Sequence, residues 1–140
     1  MTAGEYLKRE LSKVACGTYE GEDNISDLVE LWKKPWGIEL CKNINFPTSA
    51  FFEQYEQDLL PYGVFRNQNG LKLYNRDVVL YHSTANLEFS LPERTYSVLL
   101  YAGAEVVITA TNCAVVKVSK INNDCTCHII TERNATVICN

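Results

Sequence analysis

The second half of the chain carries short β-type runs at a regular spacing, and this regularity limits the folds open to it. Between residues 71 and 140, no helical period interrupts runs such as DVVLYH, ANLEFS, YSVLLY, EVVITA and ATVIC. Asn, Gly, Pro and Asn-Asn stand between the runs, which start about ten to eleven residues apart. The pattern predicts an all-β region of many short strands.

An internal repeat marks the end of this region. Three asparagines are spaced eleven residues apart, namely Asn112, Asn123 and Asn134. Superposing them aligns two sets of residues, Ala114 with Cys125 and Thr136, and Val116 with Cys127 and Ile138. A small residue, an alternating apolar run and a turn are what each coil of a β-solenoid requires, with Asn or Gly at corners of positive φ. The same spacing also fits a β-sandwich or jelly roll, so the sequence favours the solenoid and leaves that alternative open.

The N-terminal part has the periodicity of three to four short helices. Thr2 and Glu5 are spaced as a capping box. A second predicted helix breaks at Pro35 and resumes, and a third begins at Thr48 or Ser49 with apolar residues at helical spacing. We therefore predict an α+β protein with a helical cap over residues 1–62 and an all-β, repeat-like region over residues 63–140, folding as one cooperative unit.

Two proline motifs at the ends of the third helix are interpreted as structural joints. Phe46 and Pro47 precede this helix, and Pro61, Tyr62 and Gly63 follow it. Proline suits the first turn of a helix and cannot continue one, while glycine permits a sharp change of direction. We expect the second motif to turn the chain from the helices into the first strand.

Charge and targeting signals exclude several function classes. The net charge is −4 at pH 7 and the pI is about 5.2, which argues against general binding to nucleic acid or to anionic membranes. No signal peptide or long apolar run is visible, so we expect a cytoplasmic protein with reduced cysteines.

The cysteines raise the question of a metal site. The candidate ligands are Cys113, Cys125, Cys127, His128 and Cys139. A C-x-C pair on a strand directs both thiols to one face, whereas the His that follows points to the other, which suits tetrahedral zinc poorly. In the eleven-residue frame the cysteines take positions held elsewhere by apolar residues. We therefore interpret them as buried structural thiols, with zinc binding as an alternative and no cofactor expected.

Aromatic and acidic residues of the early β region give a second alternative. Tyr74, Tyr81, Tyr96 and Tyr101 would form a stacking platform if they were exposed, and Glu88 and Glu93 are nearby acids. Such a surface is typical of a carbohydrate-binding module or a carbohydrate-active enzyme. The chain carries no G-x-S-x-G motif and no phosphate-binding loop, so the sequence favours a protein without catalytic activity.

The stretch CKNINFPTSAFFEQYEQDLLPYGVF, followed by a tail of short β runs, resembles small proteins of gut Bacteroidota phages and integrated mobile elements. The matching residues include Asn45, Ser49 and Val64 together with the two proline motifs, and the resemblance covers about the last hundred residues. It implies a phage or mobile-element context and no catalytic residues. This chain departs from the pattern in its many tail cysteines and few tail glycines.

These observations lead to one expectation about function. A short stack of β coils leaves an end with unpaired backbone and apolar residues, and a partner is the natural cover. We expect a homo-oligomer, a dimer or trimer, formed through the β half, that acts as a virion component or as a sequestering or inhibitory factor with a host or virion protein as further partner.

Overall fold

The computed structural model describes residues 2, 5–6, 8–9, 29–30, 32–44 and 47–140. The chain divides into two compact units, Met1–Tyr62 and Gly63–Asn140. One predicted joint residue, Phe46, lies outside the described residues.

Capping begins the helices of the first unit as the sequence predicts. Thr2 Oγ1 accepts the N–H of Glu5 at 3.1 Å, and a Glu5 carboxylate oxygen accepts the N–H of Thr2 at 3.3 Å. Thr48 Oγ1 likewise accepts the N–H of Phe51 at 3.3 Å. These three bonds satisfy amide groups that a helix N-terminus leaves without an intrahelical partner.

Within the described residues, the helices of this unit include α1 (Pro35–Ile44), α2 (Ser49–Gln54) and α3 (Glu56–Leu59), and a 3-10 turn over Leu60–Tyr62 follows α3. Helix α1 starts at Pro35, which suits the first helical position because its missing N–H is not needed there. The predicted third helix is interrupted at Tyr55, where φ is −110°, and so forms α2 and α3.

Aromatic rings form the core of the helical unit. Tyr6 stacks on Phe51 with ring centroids 4.7 Å apart, and the rings of Trp32 and Phe52 lie 5.8 Å apart. Phe51 also contacts Tyr55 at 5.3 Å. The separations are those of favourable aromatic pairs, so the apolar stripe predicted for the third helix is the face that packs inward.

The second unit consists of nine strands. They are β1 (Val64–Arg66), β2 (Leu71–Tyr74), β3 (Val78–Tyr81), β4 (Thr84–Phe89), β5 (Thr95–Tyr101), β6 (Glu105–Ala110), β7 (Val115–Lys120), β8 (Thr126–Thr131) and β9 (Thr136–Cys139). Odd-numbered strands form a five-stranded sheet, β1-β3-β5-β7-β9, and even-numbered strands a four-stranded sheet, β2-β4-β6-β8. Every strand pair is parallel. The predicted β-solenoid is confirmed, and the sandwich or jelly-roll alternative is wrong, since those folds are built from antiparallel strands.

One coil of the solenoid contains two strands, one in each sheet. Val98 pairs with Val118, twenty residues later, and Val118 pairs with Cys139, twenty-one residues later. The eleven-residue spacing of the asparagines is therefore half a coil. Residues one spacing apart lie in opposite sheets and do not stack on each other.

The predicted stacking register is accordingly wrong. Cys127 lies beside Val106 and not beside Val116, because Val106 is one full coil earlier. Val116 lies beside Val137, and Ile138 is 48% exposed. Asn134 is one residue closer to its strand than Asn112 is to β7, and a shift of one residue moves each side chain to the other face of a strand.

Positive φ angles occur at the corners between strands. Asn67, His82 and Ala102 each follow the last residue of a strand in the five-stranded sheet, with φ of 54°, 47° and 52°. Asn112 and Asn134 also have positive φ, at 55° and 63°, so the predicted corner role is confirmed for these two members of the asparagine repeat. Asparagine tolerates this conformation because its short polar side chain hydrogen-bonds locally.

The two sheets differ in how their faces are buried. The hydrophobic core lies between them and includes Val98, Leu100, Val106, Ile108 and Val116. Strands β3 and β5 contain consecutive buried residues, as expected for strands covered on both faces. Strands β4 and β6 instead alternate buried and exposed residues. The four-stranded sheet therefore presents one face to solvent.

Candidate interaction surfaces

Within the described residues, the last strand of each sheet is paired with another strand on one side alone. We use the name terminal edge for β8 and β9, which pair on one side with β6 and β7. Three isoleucines of the terminal edge are exposed: Ile129 by 37%, Ile130 by 41% and Ile138 by 48%. Large apolar side chains thus lie next to backbone groups that the sheets leave available for pairing.

The terminal edge lacks the features by which proteins usually prevent strands from pairing. Its strand sequences, TCHIIT and TVIC, contain no Lys, Arg, Asp, Glu or Pro. Charged side chains and prolines on edge strands discourage the addition of further strands. Short, uncharged segments of high β propensity are those that associate most readily.

Two thiols lie on the inner side of the terminal edge. Cys127 and Cys139 are partly buried and pack against the hydrophobic core. Burial, and to a lesser extent the neighbouring Cys139, raises the pKa of the Cys127 thiol from 9.0 to about 11, although Lys120 acts in the opposite direction. The thiol is protonated at neutral pH, and a protonated thiol is a poor nucleophile and metal ligand.

The other metal candidates lie elsewhere. Cys125 is buried and precedes β8, at the position that Ala104 holds one coil earlier, and burial raises the pKa of its thiol. Cys113 is exposed at a corner with a φ of 61°. His128 is exposed on β8, on the face opposite to the inward Cys127. No group of three His, Cys, Asp or Glu residues suited to a metal ion occurs in the part of the chain that the structure describes.

The structure separates the four predicted platform tyrosines. Tyr96 and Tyr101 are 2% and 1% exposed, and Tyr96 packs on Phe89 with ring centroids 5.0 Å apart. Tyr81 is half-buried, whereas Tyr74 is 59% exposed. The predicted platform is therefore wrong, because both faces of β5 are buried and its tyrosines cannot stack on a ligand.

Tyr74 nevertheless belongs to a polar surface. We use the name outer face for the exposed side of β2, β4, β6 and β8. On it Tyr74 pairs across the strands with Glu88, and Lys72 pairs with Asn86. These four residues and Thr109 line a hollow with a volume of about 230 Å³. Glu93, the other predicted acid, lies in the turn between β4 and β5.

A second hollow of about 450 Å³ adjoins the first on the outer face. Its polar lining is formed by Thr84, Asn86, Glu105, Thr126 and His128. Asn86 and Val107 line both hollows, so the two are continuous across the strands. Sequence reasoning missed Lys72, Asn86 and Glu105, although the period-two alternation of LKLY, TANLEF and EVVITA directs them to one face.

The residues of the second proline motif lie at the boundary between the two units. Pro61 and Tyr62 belong to the 3-10 turn, and Gly63 is buried with a φ of 80°. Pro47, of the first motif, is buried next to the cap residue of α2.

Comparisons with protein-family models, with curated proteins and with solved structures found no match. None of the helices within the described residues is long and apolar enough to cross a membrane.

Proposed function

We propose that the protein is a non-enzymatic assembly protein that forms homo-oligomers through its terminal edge. The observation that carries the proposal is the uncharged composition of β8 and β9, together with the exposure of Ile129, Ile130 and Ile138. A second copy of the chain would cover these side chains and pair with the available backbone groups, since each copy has the same exposed isoleucines and the same edge strands.

Symmetry favours a dimer among the possible oligomers. When two copies meet edge to edge about a twofold axis, each edge strand faces its own counterpart in antiparallel orientation. Both sheets then continue across the interface, and the edge strands that remain, β1 and β2, contain the charged residues Arg66 and Lys72. A trimer would require the terminal edge to contact a different surface of the neighbouring copy. A self-complementary edge pairs with its own counterpart instead, and this pairing gives a dimer.

The proposed biological context rests on the resemblance of the segment from residue 41 onward to proteins of gut Bacteroidota phages and mobile elements. We propose that the dimer acts in the cytoplasm of the host, as a virion component or as a factor that sequesters a host protein. The neighbouring genes test this context: a position among virion genes supports the first role, and a position among early genes supports the second. A locus without phage or mobile-element genes would contradict both roles.

Size-exclusion chromatography with light scattering tests the oligomeric state of the purified chain. We expect the mass of a dimer at micromolar protein concentration, against 15.9 kDa for one chain. A monomer over the whole micromolar range would overturn the proposal. Elemental analysis of the same sample tests the zinc alternative, for which a stoichiometric metal content is the required result.

A further inference from the structure

We propose that the outer face of the four-stranded sheet binds a neutral oligosaccharide along the groove formed by its two adjoining hollows. The proposal does not rest on dimerisation through the terminal edge. The groove runs across β2, β4, β6 and β8, and strands in a sheet lie about 4.8 Å apart. This spacing is close to the length of one pyranose unit, so successive sugars would meet successive strands.

Tyr74 supplies the aromatic surface that such a ligand needs. Its side chain is 59% exposed on β2, the first strand of the sheet, and it borders the smaller hollow. A solvent-exposed aromatic ring at the edge of a polar groove stacks on the apolar C–H face of a sugar ring while its hydroxyl stays in water. Tyr74 is the most exposed of the large hydrophobic side chains among the described residues.

Polar side chains flank this ring in a fixed pattern. Glu88 lies directly across from Tyr74, and Asn86 lies directly across from Lys72, two residues away along the strands. The carboxylate accepts hydrogen bonds, the ammonium donates them, and the amide does both. Each hydroxyl of a sugar is both donor and acceptor, so this mixture suits neutral sugars. Because the side chains stand on paired strands, the backbone ladder fixes their spacing.

The larger hollow extends the groove towards β8. Thr84 pairs with Glu105, and Glu105 pairs with Thr126, so hydroxyl and carboxylate groups alternate across the strands. His128 lies beside Val107 on the same face. The hollow is open to solvent along its length and is therefore suited to a segment of a polymer, whereas sites for small isolated ligands are concave and enclose most of the ligand.

The charges of the groove select the class of ligand. Among the described residues that line the two hollows, Lys72 is the single Lys or Arg, and Glu88 and Glu105 are anionic. Nucleic acids and sulfated or phosphorylated glycans require clusters of Lys and Arg. The polar side chains of Thr84, Asn86, Glu105, Thr126 and His128 interrupt the apolar lining, so the groove does not suit the continuous apolar chain of a lipid. A neutral glycan is the class that remains.

The positions of the two acids indicate binding without cleavage. Glu88 lies across from Thr109, and Glu105 is four residues before Thr109 on the same strand. At about 3.3 Å per residue, the two carboxylates are about 13 Å apart along the strand direction. Glycosidases hold their two carboxyl groups about 5 to 9.5 Å apart. The groove therefore lacks the carboxylate pair that hydrolysis needs.

A glycan array containing neutral, sulfated and phosphorylated oligosaccharides tests the proposal on the full chain, and titration calorimetry measures the affinity of the strongest neutral ligand. We expect binding to neutral oligosaccharides. Tyr74→Ala is expected to weaken it about tenfold, while Tyr74→Phe, which keeps the ring, retains it within about threefold. Leu91→Ala serves as the control, since Leu91 is exposed but does not line either hollow.

The circular dichroism spectrum of each variant establishes that it folds. Absence of binding to every neutral oligosaccharide would overturn the proposal. So would preferential binding to the anionic glycans, or an unchanged affinity in a folded Tyr74→Ala variant.

Discussion

Ala102 donates its backbone N–H to the side-chain Oδ1 of Asn122 at 2.8 Å. The equivalent corner residues of earlier coils use a backbone carbonyl instead: Asn67 donates to the carbonyl of Tyr81 at 3.0 Å, and His82 to that of Tyr101 at 3.1 Å. A side chain thus replaces a strand carbonyl at the turn before β8, which has five residues (121–125) where the turn before β6 has three (102–104). Loss of that side chain would leave a corner amide without this acceptor.

We therefore expect Asn122→Ala to lower the free energy of unfolding by about 0.5–1.5 kcal/mol, the range for the loss of one hydrogen bond, here with a partly buried donor. Urea unfolding followed by circular dichroism measures the effect. The neighbouring Asn123→Ala is the matched control, because Asn123 is exposed and we expect it to change stability by less than about 0.5 kcal/mol. Equal effects of the two substitutions would contradict the role assigned to Asn122.

Gly63 and Gly70 form a second matched pair. Both have a positive φ, of 80° and 71°. A Cβ atom at Gly63 would lie 2.8 Å from the backbone carbonyl oxygen of Asp77, whereas one at Gly70 would meet no atom within 4 Å. We expect Gly70→Ala to cost about 1 kcal/mol of stability through backbone strain alone, and Gly63→Ala to cost at least about 2 kcal/mol because the clash adds to the strain. Chemical denaturation of both variants checks the ranking, and a Gly63→Ala variant as stable as Gly70→Ala would refute the predicted clash.

The raised pKa of the Cys127 thiol predicts that the folded protein loses stability as the pH rises in the alkaline range. Between pH 9 and about pH 11 the unfolded chain releases the thiol proton while the folded chain retains it. Unfolding is therefore favoured as pH rises through this window, and the contribution of Cys127 to stability is complete below pH 9 and lost above about pH 11. Denaturation curves at several pH values measure this, and Cys127→Val is expected to show a shallower loss.

Alkylation by iodoacetamide gives an independent measurement of the same property. Mass spectrometry at pH 8 is expected to find Cys113 modified first, since its side chain is exposed, and Cys127 modified slowly, since the thiolate is the reactive form. Rapid modification of Cys127 at pH 8 in the folded protein would be incompatible with its protected position.

A pair of lysine substitutions tests the terminal edge. Ile130 and Val107 are exposed to similar extents, 41% and 37%, and both lie on the outer face, but Ile130 is on the edge strand β8 and Val107 is on the internal strand β6. We expect Ile130→Lys to shift the chain from dimer to monomer in light-scattering measurements, because edge charges discourage strand pairing. Val107→Lys is expected to remain dimeric, and dissociation by both variants would place the interface elsewhere.

Local signals in the sequence were sufficient to predict the fold class. The capping groups of Thr2 and Thr48, the corner asparagines Asn112 and Asn134, and the short apolar runs each act over a few residues and are found where they were predicted, whereas Asn123 does not have a positive φ. The period-two alternation of β4 and β6 also separates inward from outward residues without further information.

Stacking partners were not predictable in the same way. The partner of Cys127 is Val106, twenty-one residues earlier. Which strands become neighbours depends on the number of residues in a complete coil, and no local signal in the sequence gives this number. Asn134 is also one residue closer to β9 than Asn112 is to β7, and this difference reverses the expected orientation of Ile138. Tyr96 and Tyr101 were misassigned for a related reason, since burial of both faces of β5 depends on tertiary packing.

The difference between the two sheets also determines how such a chain can change in length. Strands buried on both faces, such as β5, alternate along the chain with strands that have one face exposed to solvent. Removal of an eleven-residue unit would therefore place a strand like β5 in the four-stranded sheet, whose outer face is exposed. Removal or duplication of a whole coil would preserve both environments. The smallest segment that evolution or an engineer can exchange without exposing the core is therefore a full coil, which has fourteen to fifteen residues at the start of the solenoid and twenty to twenty-one residues after it.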